Sequence, residues 1–370
     1  MHSSTSSSED ARAARIEPGQ LGAQPYVRPL PDMRAGTAVV ISLVVFVLAL
    51  GSWEFYWRSW GSEPAIRNSP GLWAMQRRRI DNGEGHKTVI VGSSRLLFDV
   101  QLPVWEQVGG ERPIQLAIEG TSPLPVMEQL ADDAAFTGRL VVGVAPDLFF
   151  TGFTYLSDKY ELYPKETPSE RVAQWLSMTL LEPWLAYYDE DFALTKVLKR
   201  QPWPARKGVP AFMDVRKLSV SDADRNTYMW RKVENDAEYA ALCQRIWAQD
   251  FGEVPFGSNE VLQKKISGEI DRAVKVVERL RARGVSLVFV RAPSNSDYLA
   301  FENRWFPRAT TWDVLLERTG VPGIHFGDYP EMQGLRLPEW SHLAAADASK
   351  YTAALQPLVE KAFAAQRKGD

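Results

Sequence analysis

Residues Ala35 to Trp53 (AGTAVVISLVVFVLALGSW) form an unbroken run without a charged side chain. As an α-helix this run reaches ~28 Å, against a bilayer hydrocarbon core of ~30 Å. A helix that is apolar on every side has no polar stripe to turn toward water. A soluble domain can place it only at its centre, whereas a membrane accepts it directly. Trp53, Tyr56, Trp57 and Trp60 follow at once, as in an interfacial aromatic belt. The run starts late and shows no small-x-small cleavage site before the aromatic cluster, unlike a removed signal peptide. The expectation is a transmembrane helix over 35–57. Residues 1–34 are rich in Ser, Ala, Pro and Arg with almost no apolar periodicity, and read as a disordered tail. Arg28 and Arg34 flank one side of the run and Arg58 and Arg67 the other, so the positive-inside count does not decide orientation. A short tail ahead of a large domain favours a single-pass anchor with the domain outside.

The remaining composition narrows the function classes. The 370 residues allow two domains, or one large domain with an insertion, at ~150 residues per domain. Hydrophobic residues make up 45% and charged residues 24%, which excludes wholesale disorder. Lys and Arg number 43 against 46 Asp and Glu, a net charge of −3, whereas a nucleic-acid binder usually shows a basic excess. The single cysteine, Cys243, excludes an intramolecular disulfide and a CxxC site. The four histidines (His2, His86, His325, His342) leave few ligands for a metal or groups for acid–base work.

After a juxtamembrane linker over 58–85, the apolar pattern alternates between short runs and longer amphipathic ones. Thr88–Gly92, Ile114–Ile118, Arg139–Ala145, Val285–Val290 and Pro322–Phe326 read as strands. Leu124–Ala135, Val261–Arg283, Thr311–Thr319 and Ala344–Gln366 read as helices. Short continuous apolar strands separated by helices imply a parallel sheet covered on both faces, an α/β fold over 86–370. Residues 152–258 break the alternation. They hold several Trp and Tyr, helical patterns at Ser169–Leu181 and Ala237–Gln249, and a Pro/Lys/Arg-rich middle at Gln201–Pro210, and read as a helical insertion or cap.

In an open parallel sheet, sites form at the carboxyl ends of the strands. The first strand runs into Gly92-Ser93-Ser94-Arg95, which exposes a hydroxyl at a helix start where backbone N–H groups can support an oxyanion. A serine there also serves as a plain N-cap. The second strand runs into Glu119-Gly120-Thr121-Ser122, where a glycine can turn its N–H to a ligand or simply make a turn. Before the last helix stands Leu337-Pro338-Glu339-Trp340-Ser341-His342-Leu343. A carboxylate three residues before a histidine can fix its tautomer and free the other ring nitrogen to take a proton from a serine. A structural histidine with a satisfied ring is the other reading. Asp328, after the fifth strand, competes with Glu339 for His342. Arg291, Arg304 and Arg308 can bind an anionic group or serve as ordinary surface charges. Lys196, Lys199, Arg200, Arg206 and Lys207 read as a solvated face, His325 as a core residue and Cys243 as a buried small hydrophobe.

Gly92-Ser93-Ser94, Gly120 and Glu339-Trp340-Ser341-His342 together resemble the blocks of the SGNH/GDSL hydrolase superfamily. The likeness covers roughly 86–151 and 261–366. It implies a flavodoxin-like, three-layer parallel sheet with Ser94 as nucleophile, His342 as base and Glu339 in place of the family's aspartate. It also implies an oxyanion hole from Gly120 and the Ser94 N–H. The family's Gly-x-Asn-Asp block is absent, since Val144-Ala145-Pro146-Asp147 follows the third strand, which leaves Asn295 in Pro293-Ser294-Asn295 as a substitute donor. The anchor and the GSSR form look most like membrane-bound relatives that acylate cell-envelope polymers. By that likeness the chain would be an esterase or O-acyltransferase on a cell-envelope or exported polysaccharide (an exopolysaccharide), needing no metal or organic cofactor. It would sit in the inner (cytoplasmic) membrane with its domain in the periplasm. The alternative is a non-catalytic envelope protein that keeps the fold and holds a polysaccharide or a membrane acyltransferase partner.

Overall fold

The computed structural model describes residues 35–201, residue 207 and residues 213–366. The tail 1–34, Arg206 and much of the Gln201–Pro210 stretch lie outside the described residues. The chain divides into two units, Met1–Trp53 and Glu54–Asp370. In the first, the described residues belong to helix α1 (Ala35–Ser59), whose apolar window has a mean hydropathy of 2.3 and is long enough to cross a membrane.

The second unit starts with the last turns of α1 and continues through α2 (Pro70–Arg79), β1 (Thr88–Val91), α3 (Ser94–Asp99), α4 (Leu102–Gly109), β2 (Ile114–Gln115), α5 (Leu124–Asp132) and β3 (Arg139–Gly143). The insertion carries α6 (Pro168–Leu180), α7 (Leu194–Lys199), an antiparallel hairpin of β4 (Ser219–Ser221) and β5 (Thr227–Met229), and α8 (Ala237–Trp247). Then come α9 (Asn259–Arg281), β6 (Ser286–Arg291), α10 (Ser296–Trp305), α11 (Trp312–Thr319), β7 (Gly323–His325) and α12 (Ala345–Gln366). Five strands pair in parallel in the order β2-β1-β3-β6-β7.

The strands are buried on both sides because successive side chains point to opposite faces. Val89, Val91, Leu140, Val142, Leu287 and Phe289 join one core with Leu130 of α5, Ile270 and Val277 of α9 and Leu315 of α11. The alternate residues Ile90, Val141, Val288 and Val290 are equally buried, and α12 packs on this sheet together with α3 and α4. This is an α/β architecture with helices in two layers about a parallel sheet. Strand β2 proper is two residues long, but the chain keeps running beside β1, with Leu116 N–H on the Ile90 carbonyl at 2.8 Å and Ile118 N–H on the Gly92 carbonyl at 2.9 Å.

Two expectations change. The stretch 58–85 is not a bare linker. It contains α2, capped by Ser69 with Pro70 at its first turn, and Leu72 and Trp73 of α2 are fully buried. The aromatic belt also divides. Phe55 and Tyr56 point outward, but Trp57 stacks on Phe192 with ring centroids 4.4 Å apart, and Trp60 meets Trp230 at 5.6 Å. These tryptophans serve the domain core.

Candidate active site

Beyond Val91 the chain leaves the sheet through Gly92 and Ser93 and enters α3 at Ser94. Gly92 allows the tight exit, since a Cβ there would lie 3.2 Å from the Gly143 Cα on the neighbouring strand. Ser94 is partly exposed, while Ser93 and Arg95 on either side are buried. Phe98, one turn later on the same face of α3, packs its ring on the His342 imidazole with centroids 4.5 Å apart.

The loop before α12 supplies the rest. Glu339 and His342 are essentially without solvent exposure. Glu339 Oε1 accepts the backbone N–H of His342 at 2.7 Å and lies 2.8 Å from His342 Nδ1. An ionised carboxylate only accepts, so Nδ1 carries the proton and Nε2 of the neutral ring presents a lone pair. That Nε2 is 2.7 Å from Ser94 Oγ. The geometry thus joins Ser94, His342 and Glu339 in one hydrogen-bonded chain, contributed by the first residue of α3 and by the loop before α12. Chemically, such a chain can move a proton off the serine as its oxygen attacks a carbonyl.

No protein-family model matches this chain. No curated protein matches it either.

Supporting contacts come from three places. Trp247, at the end of α8 in the insertion, donates its indole N–H to Glu339 Oε2 at 2.5 Å. The second carboxylate oxygen is therefore also engaged, and the insertion takes part in the site. Arg95, next to Ser94, donates to Ser341 Oγ at 3.3 Å and to Glu302 Oε1 at 2.6 Å. Glu302 Oε2 accepts from Arg291 at 2.6 Å and from Ser294 at 2.5 Å. Burial opposes the Glu302 charge, but the guanidiniums of Arg291 and Arg95 outweigh it and hold the carboxyl below its usual range. Nearby, Tyr298 donates to Asp147 at 2.7 Å and lies under the Arg95 guanidinium at 4.8 Å. This buried ionic cluster ties helix α3 to the histidine loop.

Other expected residues fall out differently. Gly120 has φ +56, and its carbonyl accepts the Tyr155 N–H at 3.0 Å. It lies two residues past the Ile118–Gly92 bond, as Ser94 lies two past Gly92, so both stand at the same sheet edge. Asn295 stands at the N-terminal cap position of α10 without a side-chain capping bond, and donates its backbone N–H to the Trp340 carbonyl at 3.0 Å. Its side-chain oxygen is buried with no partner among the described residues, and no contact to Ser94 is described. Asp328 is not the histidine's acid. Arg308 takes both its oxygens at 2.6 and 2.8 Å on the surface, and that charge holds its carboxyl below the usual value. Arg291 is buried in the Glu302 cluster rather than open to a ligand, and Arg304 lies over the Trp305 ring at 4.7 Å. His325 is only half-buried, stacked on Phe326, and its Nδ1 accepts the Gly327 N–H. Lys196, Lys199 and Arg200 are paired with Glu190, Asp214 and Asp191. Cys243 is buried, which pushes its thiol up to about 12.

Asp99, at the end of α3, adds a pH signature. Its Oδ1 accepts the N–H of Leu343, the residue after His342, at 2.9 Å, while its Oδ2 is buried without a partner among the described residues. Burial raises this carboxyl well above the ordinary aspartate value, against the Leu343 N–H and Arg95, which lower it. The unfolded chain ionises it near ~3.9. A group kept protonated only in the fold makes stability fall as pH rises through the unfolded value and up to the folded one, by about 1.4 kcal/mol per pH unit. Asp99→Asn keeps the oxygen for Leu343 and cannot ionise. Its urea midpoint should equal the wild-type value below about pH 4 and exceed it by a growing margin as pH rises above that. A deficit that does not change with pH would mean that Asp99 is not held protonated.

Proposed function

We propose that the chain is a membrane-anchored serine esterase or O-acyltransferase of the SGNH hydrolase kind, acting on acyl esters of a cell-envelope or exported polysaccharide. The reading rests on one observation, the Ser94 Oγ–His342 Nε2 contact of 2.7 Å backed by Glu339. In the reaction, Ser94 Oγ attacks the ester carbonyl as His342 Nε2 takes its proton. Collapse of the tetrahedral intermediate breaks the bond to the leaving oxygen, which receives the proton from His342. The acyl-serine is then cleaved by water in an esterase, or by a sugar hydroxyl in a transferase, with His342 again passing the proton. The Ser94 and Gly120 N–H groups, at one sheet edge, are the proposed oxyanion donors. Envelope glycans as substrate follow from the family resemblance and the apolar N-terminal helix.

Labelling tests the reading directly. A fluorophosphonate applied to detergent-solubilised full-length protein should modify one residue, and peptide mass spectrometry should place the adduct on Ser94. His342→Ala should abolish the adduct. A folded protein that takes up no label, or takes it elsewhere, would favour the non-catalytic envelope protein.

A further inference from the structure

Helix α6 is built inside out. Its Thr167–Glu170 capping box and Pro168 give it a well-defined start. Yet none of its residues is buried, and it touches its surroundings through polar groups, such as Gln174, which accepts from Ser69 Oγ at 2.7 Å. Its apolar residues Val172, Trp175, Leu176 and Leu180 recur at the i, i+3, i+4, i+8 spacing of one helical face, and all four are exposed. From Val172 to Leu180 the sequence carries no charge. In the chain that follows, Trp184 is 68% exposed, and Leu194 and Leu198, one turn apart on α7, are exposed as well. Scattered exposed apolar residues are ordinary, whereas a contiguous amphipathic face turned outward marks an interaction surface.

The position of this segment in the chain identifies what covers it. Arg58 donates to the Trp184 carbonyl at 2.8 Å. Glu54 accepts the N–H groups of Ala186 and Tyr187 at 2.9 and 3.0 Å. Phe192, just before α7, is the residue on which Trp57 stacks. Glu54, Trp57 and Arg58 lie in the first one and a half helical turns after Trp53, so about 8 Å of helix rise separates Arg58 from the end of the apolar run. A segment fastened to those residues is held at the depth where a membrane helix emerges. Two exposed tryptophans, Trp175 and Trp184, are the side chains best suited to that zone, with an apolar body and one N–H to keep wet.

We propose that the outer face of α6, with Trp184 and the Leu194/Leu198 edge of α7, lies in the lipid bilayer interface. It is an in-plane contact additional to α1, with the acyl-chain and headgroup boundary as its occupant. Interfacial helices of this kind bury their apolar face ~5–10 Å into that boundary. The contact gives the chain a second membrane attachment besides α1.

Full-length Leu176→Cys, labelled with the fluorophore NBD and reconstituted into phosphatidylcholine/phosphatidylglycerol vesicles, tests this. Cys243 can remain, since its buried, protonated thiol does not compete for the label. Lipids bearing a nitroxide high on the acyl chain should quench the emission. Aqueous iodide should quench it about fivefold less than NBD–cysteine in buffer, as expected at such depth. Leu198→Cys should behave alike, and guards against a local disturbance at position 176. Free access to iodide with no nitroxide quenching at either position would overturn the proposal. So would shielding from iodide without nitroxide quenching, because a protein surface, not lipid, would then cover the face.

Discussion

Ser94→Ala and His342→Ala should each remove nearly all turnover of a small acetyl ester, by roughly 10³- to 10⁶-fold in kcat, with circular dichroism unchanged. The size follows from the contact between the two groups. Without His342 the Ser94 proton has no acceptor at 2.7 Å, and without Ser94 the imidazole has nothing to activate. Groups that act as a unit are lost as a unit, so the double variant should be hardly slower than either single one. Glu339→Gln should be milder, since it leaves the base in place. It still replaces an acceptor held by three donors (the His342 backbone and ring and the Trp247 indole) with an amide that supplies donors of its own. Trp247→Phe removes only one of those donors and should be milder again. Wild-type turnover in Ser94→Ala would place the chemistry elsewhere. Multiplying single-variant losses in the double variant would mean that the two groups act independently.

Glu302→Ala should cost about 3–5 kcal/mol of stability, because removing one partner from a buried ionic group strands the others. Here two guanidiniums, those of Arg95 and Arg291, lose their shared carboxylate in a region with almost no solvent exposure. The check is a urea titration followed by tryptophan fluorescence, in which the midpoint should fall well below that of the wild type. Replacing the whole cluster gives the sharper comparison. Arg95→Met, Arg291→Met and Glu302→Leu together remove all three of these charges and should recover part of the stability, with Asp147 left without the two guanidiniums that favour its ionised form. They should not recover the turnover expected of the wild type, because Arg95 also holds Ser341 beside His342. An unchanged midpoint in Glu302→Ala would show that the cluster contributes little to the fold.

What could be read beforehand was local in character. The sheet strands are short, mostly apolar runs, and each lies within a few residues of its expected place, because a strand buried on both faces has few positions at which a polar side chain can find a partner. The Ser94 and Glu339–His342 motifs were legible for the same reason, since each is a few adjacent residues at a strand end. The Ser69-Pro70 start of α2 was a readable capping signal, but the arginines that end this helix resemble a solvated tract. Trp247 had no such signal. Its role arises because α8 docks beside a loop 92 residues later, and an indole N–H bonded to a carboxylate leaves no trace in its neighbours. Trp57 and Trp60 were misplaced by the same kind of long-range contact, with Phe192 and Trp230 as partners that the sequence near residue 57 does not announce.

The distance along the chain between nucleophile and base has a consequence for the protein's biogenesis. Ser94 and His342 are 248 residues apart. At a translation rate of roughly 5–20 residues per second, the serine is made about 12–50 s before the histidine that would activate it. Through that interval the growing chain carries a serine with no base, and α12, which packs against the nucleophile's helix, does not yet exist. The Ser94–His342 contact therefore cannot form until residue 342 has been made. A polypeptide released before residue 339 would keep the apolar helix α1 but lack both His342 and its carboxylate partner.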